Sequence, residues 1–178
     1  MKKTALLVLF FFLYGAAAGA QSVFSYKTTA ENAAKNAPAF ESTSCKFSQE
    51  KLMKSSNMTL KSGGNFKFIK DKGVIFETTY PIQSTASYTS GQNKVVNRVI
   101  KSITNKDYSY LEKNFDLYHM NTKTGWVLAL TPKAGGQLQG EMKNIQIFGT
   151  NTNGKGHINK IIIDATSIKT TQTFTDCK

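Results

Sequence analysis

Residues 66–81 read FKFIKDKGVIFETTYP, and the alternation of side chains along them predicts a β-hairpin with its turn at residues 71–73. An isolated hairpin is marginally stable in water, so its aromatic rings require a packed layer or an apolar ligand. The side chains predicted to share a face are Phe66, Phe68 and Lys70 on the first strand and Val74, Phe76, Thr78 and Tyr80 on the second.

Segments on either side of this hairpin also have the pattern of strands. They are short, rich in Thr, Phe, Tyr and Ile, and separated by polar or glycine-containing turns, which is typical of an antiparallel meander. The predicted strands cover residues 44–52, 58–64, 84–90, 125–133, 143–149, 157–165 and 169–176. Side chains expected on one face of two of these strands are Trp126, Leu128 and Leu130, and Ile145 and Ile147.

Three stretches show helical spacing instead. Residues 29–37 form a short helix that Thr29 can cap and Pro38 ends, and residues 107–115 form another. Residues 93–104 are more strongly amphipathic, because their aliphatic side chains recur every three or four positions. Those side chains are Val95, Val96, Val99, Ile100 and Ile103. Strands with inserted helices predict a mainly β fold with α elements, of the α+β class.

The first twenty residues are predicted to be a signal peptide that is removed. Lys2 and Lys3 give a positive start, residues 5–14 are apolar, and residues 18–20 are small, as a cleavage site requires. We therefore expect an exported protein with one domain over residues 21–178. After the leader, no apolar run is long enough to cross a bilayer.

The chain is basic, with a formal net charge of +12, or +10 without the two leader lysines. Its lysines are spread singly along the sequence instead of forming the clustered stripe that nucleic-acid binding requires. We therefore expect no nucleic-acid partner, and anionic lipid headgroups are the better match for this charge.

Two cysteines are present, Cys45 and Cys177. In an oxidising compartment they predict one disulfide that ties an early strand to the last one, and two free thiols are the alternative. The only histidines, His119 and His157, are far apart and outside any metal-binding motif, and no nucleophile elbow or phosphate-binding loop occurs. We expect no enzyme activity, no metal and no cofactor.

Read in order, KFSQEKLM (46–53), the hairpin, WVLALTPK (126–133), KNIQIF (143–148), INKIIIDA (158–165) and QTFTD (172–176) resemble the LolA family of periplasmic lipoprotein carriers. The resemblance runs from about Thr43 to Asp176. It implies an incomplete antiparallel β-barrel, shaped like a half pipe, with helices forming a lid over its apolar concave face. It also implies a monomer in the periplasm of a Gram-negative-type envelope.

The resemblance implies a chaperone that shuttles lipoproteins from the inner to the outer membrane. Its partners would be acylated lipoproteins or other lipids, an inner-membrane lipoprotein-releasing ABC transporter and an outer-membrane acceptor. Two alternatives stay open. One is a LolA-like lipid-binding protein that serves a dedicated exporter of glycolipids or other hydrophobic products. The other is a non-catalytic structural module of the envelope.

The candidate site residues follow from the aromatic face and from the resemblance. For each of them, ordinary core packing is the alternative. Lys70 aligns with the family arginine that holds the lid closed, so it is a possible latch, although lysine lacks the planar guanidinium fork. The lid helix would act through Val95, Val99, Ile100 and Ile103. The acyl-chain site would comprise Phe66, Phe68, Phe76, Tyr80, Trp126, Leu128, Ile145 and Ile147.

Overall fold

The computed structural model describes residues 22–70, 72–87 and 92–178. The predicted signal peptide, Asp71 of the hairpin turn and the end of the predicted strand 84–90 lie outside these residues. Within them are a 3-10 turn, Val23–Ser25, and the helices α1 (Ala30–Asn36), α2 (Gln92–Thr104) and α3 (Ser109–Asn114). The strands are β1 (Lys27–Thr28), β2 (Thr43–Met53), β3 (Met58–Ile69), β4 (Gly73–Tyr80), β5 (Ser84–Ser87), β6 (Phe115–Asn121), β7 (Trp126–Pro132), β8 (Met142–Thr152), β9 (Lys155–Ala165) and β10 (Ile168–Thr175).

Over the described residues, the strands form one antiparallel sheet in the order β1-β6-β7-β8-β9-β10-β2-β3-β4-β5. The sheet does not close, because β1 and β5 are its two edges. The predicted fold class, an open half-barrel of the α+β type with helices on one side, is confirmed. We call the side on which the helices pack the inner face and the opposite side the outer face.

The central hairpin is present but longer than predicted. The predicted strand 58–64 and the first hairpin strand are one continuous strand, β3, because the two glycines between them do not form a turn. At Gly64 the neighbouring strand passes so close that an added Cβ would lie 2.0 Å from the carbonyl oxygen of Glu77. Gly64 is therefore required by the close approach of β4, and the register shifts by one residue beside it.

Two strands, β1 and β6, were absent from the sequence prediction. Residues 115–118 alternate between buried and partly exposed side chains, and residues 115–121 pair with β7 along their whole length. Phe115 had been assigned to the end of the preceding helix, which instead ends at Asn114. The helical spacing of residues 107–115 runs directly into the strand spacing that begins at Phe115, so Phe115 fits both patterns.

The helices lie where the sequence predicts them. Thr29 caps α1 by accepting a hydrogen bond at its hydroxyl from the backbone N–H of Asn32, at 3.2 Å. The side chains of α2 that face the sheet are almost completely buried. On the outer face a separate small cluster forms, in which Val23 packs against Val127 and Ala129.

The predicted disulfide is present and joins Cys45 on β2 to Cys177, 132 residues later in the sequence. It lies beside a backbone pair in which Ser44 and Lys178 each donate an N–H to the other's carbonyl. The C-terminal segment is thereby held against the start of β2.

Candidate functional site

An aromatic cluster covers the inner face where β10, β2, β3 and β4 adjoin. Strand pairing places Phe66 opposite both Cys45 and Phe76, and Phe47 opposite Phe174. The ring of Phe66 lies 4.5 Å from that of Phe174 and 5.1 Å from that of Phe76, between ring centroids. These separations are typical of favourable aromatic pairs. Phe66 and Phe76 of the hairpin therefore pack with Phe47 and Phe174 as one aromatic wall.

The other half of the inner face is aliphatic. Leu128 on β7 pairs with Ile147 on β8, and Leu130 pairs with Ile145. All four side chains are at most 2% exposed. They belong to the same buried cluster as the aromatic wall, so a continuous apolar surface runs across the sheet.

Trp126 stands at the end of this surface. Its indole lies over Gly149, where an added Cβ would come within 2.2 Å of the ring, and its ring meets that of Phe40 edge-on at 6.0 Å. It is 7% exposed, and its Nε1 has no hydrogen-bond partner in the described residues. A buried N–H group without a hydrogen-bond partner costs free energy. Within the described residues the Trp126 indole bears this cost, whereas the aliphatic side chains of the wall have no polar group to pair.

Helix α2 covers the inner face. Val96, Val99, Ile100 and Ile103 are at most 6% exposed and belong to the same buried cluster as the wall, with Val95 packed at its border. Ile100 lines a small cavity together with Phe66 and Phe68, whereas Ile103 lines another together with Trp126 and Leu128. Of the predicted lid residues, Ile100 therefore faces the aromatic half of the wall and Ile103 faces the half that holds Trp126 and Leu128.

The space between α2 and the wall is filled by the protein itself. The two cavities found there have volumes of about 20 and 10 Å³. One water needs at least about 10–15 Å³, and a small-molecule pocket has roughly 300 Å³ or more. The open hollow expected from the sequence is therefore absent in this conformation, and an acyl chain would have to displace α2.

Polar side chains interrupt the wall along β10 and β2. The amide of Gln172 donates to Gln49 Oε1 at 3.0 Å, and the amide of Gln49 donates to the hydroxyl of Ser62 at 2.9 Å. Gln172 is 6% exposed, and its own Oε1 has no partner in the described residues. Gln49 and Gln172 were not among the predicted site residues, although strand alternation from Phe47 and Phe174 places both glutamines on the inner face.

Two titratable groups lie beneath α1 and α3 near Trp126. Tyr108 and His119 line the same small cavity. Burial raises the pKa of Tyr108 to about 12 and lowers the pKa of His119 below its ordinary value. Both groups are therefore neutral near neutral pH, as an apolar site requires.

Two predicted residues lie apart from the wall. Tyr80 is 63% exposed at the end of β4 and is not part of the buried cluster. Lys70 is exposed, and in the described part of the chain its ammonium group forms no hydrogen bond or ion pair; only its backbone N–H donates, to the hydroxyl of Ser42 at 3.1 Å. A latch contact by Lys70 remains a prediction.

The described residues contain no group of three or more His, Cys, Asp or Glu side chains that could hold a metal ion. None of their helices has the length and hydrophobicity needed to cross a bilayer.

No protein-family model matches the chain, and no curated protein matches it significantly. Solved structures, in contrast, do match the chain. A LolA superfamily protein from Nitrosomonas europaea is 9% identical, with a TM-score of 0.40 over 85% of this chain and 93% of that one. An outer-membrane lipoprotein-sorting protein domain from Vibrio parahaemolyticus is 8% identical, with a TM-score of 0.38 over 84% and 89%.

A DUF1329 family protein from Desulfovibrio piger is 9% identical, with a TM-score of 0.37 over 84% of this chain and 89% of that one. At such identities the likeness concerns the architecture alone.

Proposed function

We propose that this chain is a periplasmic lipid carrier. It binds the acyl chains of lipoproteins or other lipids on the inner face of the sheet, beneath α2, and moves them from the inner to the outer membrane. An inner-membrane ABC transporter would load it, and an outer-membrane acceptor would unload it. The protein has no catalytic role in this scheme.

The observation that carries the proposal is the continuous apolar wall against which the amphipathic helix α2 packs, with Ala33 of α1 and Leu111 of α3 in the same buried cluster. Displacing α2 exposes four aliphatic side chains, Val96, Val99, Ile100 and Ile103. At about 1.5–3 kcal/mol for each side chain, the cost is roughly 6–12 kcal/mol. Ten methylenes of an acyl chain return about 8 kcal/mol when they take the place of the helix against the wall. Because the two terms are of similar size, cargo can be both bound and released, as a carrier requires.

The filled interior favours a second candidate, a non-catalytic structural module of the envelope. In that case α2 is a permanent part of the core, and the wall never meets a ligand. The two candidates differ in whether the isolated protein retains an acylated molecule.

Native mass spectrometry of the chain isolated from the envelope of a Gram-negative host separates these candidates. The carrier predicts a bound acylated species whose mass identifies it as a lipoprotein, a glycolipid or another lipid. A matched pair of variants locates it. Phe76→Leu alters the inner wall, whereas Phe148→Leu alters the outer face, where the ring packs against the Val127 cluster.

We expect Phe76→Leu to reduce the retained species and Phe148→Leu to leave it unchanged. Ligand-free protein in every preparation, including protein incubated with fatty acid, would support the structural module instead.

A further inference from the structure

Large exposed apolar side chains are concentrated at one end of the sheet. In the residues that the structure describes, all those more than half exposed lie on the neighbouring strands β3 and β4 or just beyond them. They are Met58 at 52%, Leu60 at 51%, Tyr80 at 63% and Ile82 at 76%. We call these four residues the end patch.

The topology brings them to the same end of the sheet. Strands β2 and β4 both run antiparallel to β3, so the β2–β3 turn and the β4–β5 turn point towards that end, and Tyr80 pairs with Gly63, three residues along β3 from Leu60. Helix α2 lies towards the opposite end, because Asn97 stands against Gly73 at the start of β4. The lid helix therefore leaves the end patch uncovered.

Two lysines lie on the strands beside β3 at this end. Lys51 on β2 lies directly opposite Leu60, and Lys169, the second residue of β10, pairs with Leu52 of β2. Both are exposed and form no ion pair within the described residues. The nearby acids are already neutralised, since Glu50 pairs with Lys61 at 3.2 Å and Asp164 pairs with Lys54. The end of the sheet thus presents apolar side chains with an excess of positive charge.

We propose that the end patch docks the protein on an anionic lipid bilayer. Met58, Leu60 and Ile82 would enter the boundary between headgroups and acyl chains. Tyr80, with an apolar ring and a polar hydroxyl, suits the headgroup level. Lys51 and Lys169 would lie near lipid phosphates. A second copy of the chain is a poorer occupant, because a two-fold contact through this patch would bring the unpaired lysines of both copies together.

This surface is distinct from the inner wall and does not depend on the cargo. Tyr80, predicted from the sequence to contact an acyl chain inside the half-barrel, is assigned here to the docking surface. Docking would place a carrier at the membrane where cargo is exchanged.

Co-sedimentation of the purified chain with phosphatidylglycerol-containing vesicles and with pure phosphatidylcholine vesicles tests the proposal. We expect binding to the anionic vesicles and at least about tenfold weaker binding to the neutral ones. The combined substitution Leu60→Ser and Ile82→Ser should weaken anionic binding by about tenfold or more. Lys51→Gln with Lys169→Gln should weaken it by about tenfold and reduce its salt dependence.

The matched control is Lys35→Gln with Lys94→Gln, the same change of charge at exposed positions on α1 and α2. This control should bind anionic vesicles like the original chain. Equal binding by all variants, equal binding to neutral vesicles, or no binding would overturn the proposal.

Size-exclusion chromatography with light scattering gives a further check. A dimer that Leu60→Ser and Ile82→Ser dissociate would show that a second copy covers the patch, and this would also overturn the proposal. Fatty-acid binding measured on the same variants should be unchanged, so failure of docking and failure of the carrier function are distinguishable.

Discussion

Ile100→Val tests whether α2 is a lid. The side chain of Ile100 is completely buried between α2 and the aromatic wall. Loss of one methyl group there costs about 1 kcal/mol of packing in the closed conformation. Ile100 loses its contact with the wall when α2 is displaced, so the cost of opening falls by the same amount. We expect about fivefold tighter binding of an acyl probe, although the protein is less stable.

Ile147→Val is the matched control. Ile147 is equally buried but lies on the wall itself, so the same methyl deletion destabilises the protein by about 1 kcal/mol and weakens the contact of the wall with the closed lid and with the acyl chain that replaces it alike. We expect its affinity for the probe to be unchanged or weaker. Urea unfolding gives the stability of both variants, and titration with a dansyl-labelled fatty acid gives their affinity. Equal effects of the two substitutions on affinity would refute the lid mechanism.

Three further predictions concern stability. Cys45→Ser should lower the Tm by roughly 10 °C in oxidising buffer only, because the disulfide closes a loop of 132 residues and is worth about 4–5 kcal/mol. His119→Gln should remove a pH dependence: burial lowers the folded pKa, so the histidine's contribution is complete above about pH 6.5 and is lost on acidification. Gly64→Ala should cost about 2 kcal/mol, because its Cβ would clash with the Glu77 carbonyl oxygen.

A specific result would contradict each of these three stability predictions. An equal fall in Tm in reductant would mean that the cysteine substitution acts through packing. A urea midpoint that still falls between about pH 7.5 and about pH 5 in the histidine variant, as steeply as in the original chain, would assign the dependence to other groups. An unchanged midpoint for Gly64→Ala would show that β4 can move away.

Local patterns predicted much of this fold. Helix α2 has an unbroken helical spacing of aliphatic residues, and the hairpin strands alternate clearly, so neither depends on distant contacts. The disulfide followed from composition and compartment. The features that were missed depend on other parts of the chain. Gly63 and Gly64 look like a turn, and only the close approach of β4 explains why the strand continues through them.

Most residues of the inner wall could be predicted from the sequence, but whether α2 fills the space in front of the wall could not. Strand parity brings Phe66, Phe76, Leu128 and Ile147 to one face, as the structure has them. Whether there is free space in front of that face depends on where α2 packs. The spacing of apolar residues predicts that α2 is a helix, but it does not predict the position of α2 against the sheet. Tyr80 shows a further limit, because the register shift beside Gly64 and the end of β4 put it outside the cluster to which its spacing assigned it.

Fluorescence of Trp126 tests the central claim most directly. It is the single tryptophan of the chain and is buried at the inner wall beside α2. A fatty acid brominated along its chain quenches an indole that it contacts. We expect saturable quenching that an unbrominated fatty acid reverses. Binding of the brominated acid without any loss of Trp126 emission, or no binding at all, would contradict an acyl site beneath α2.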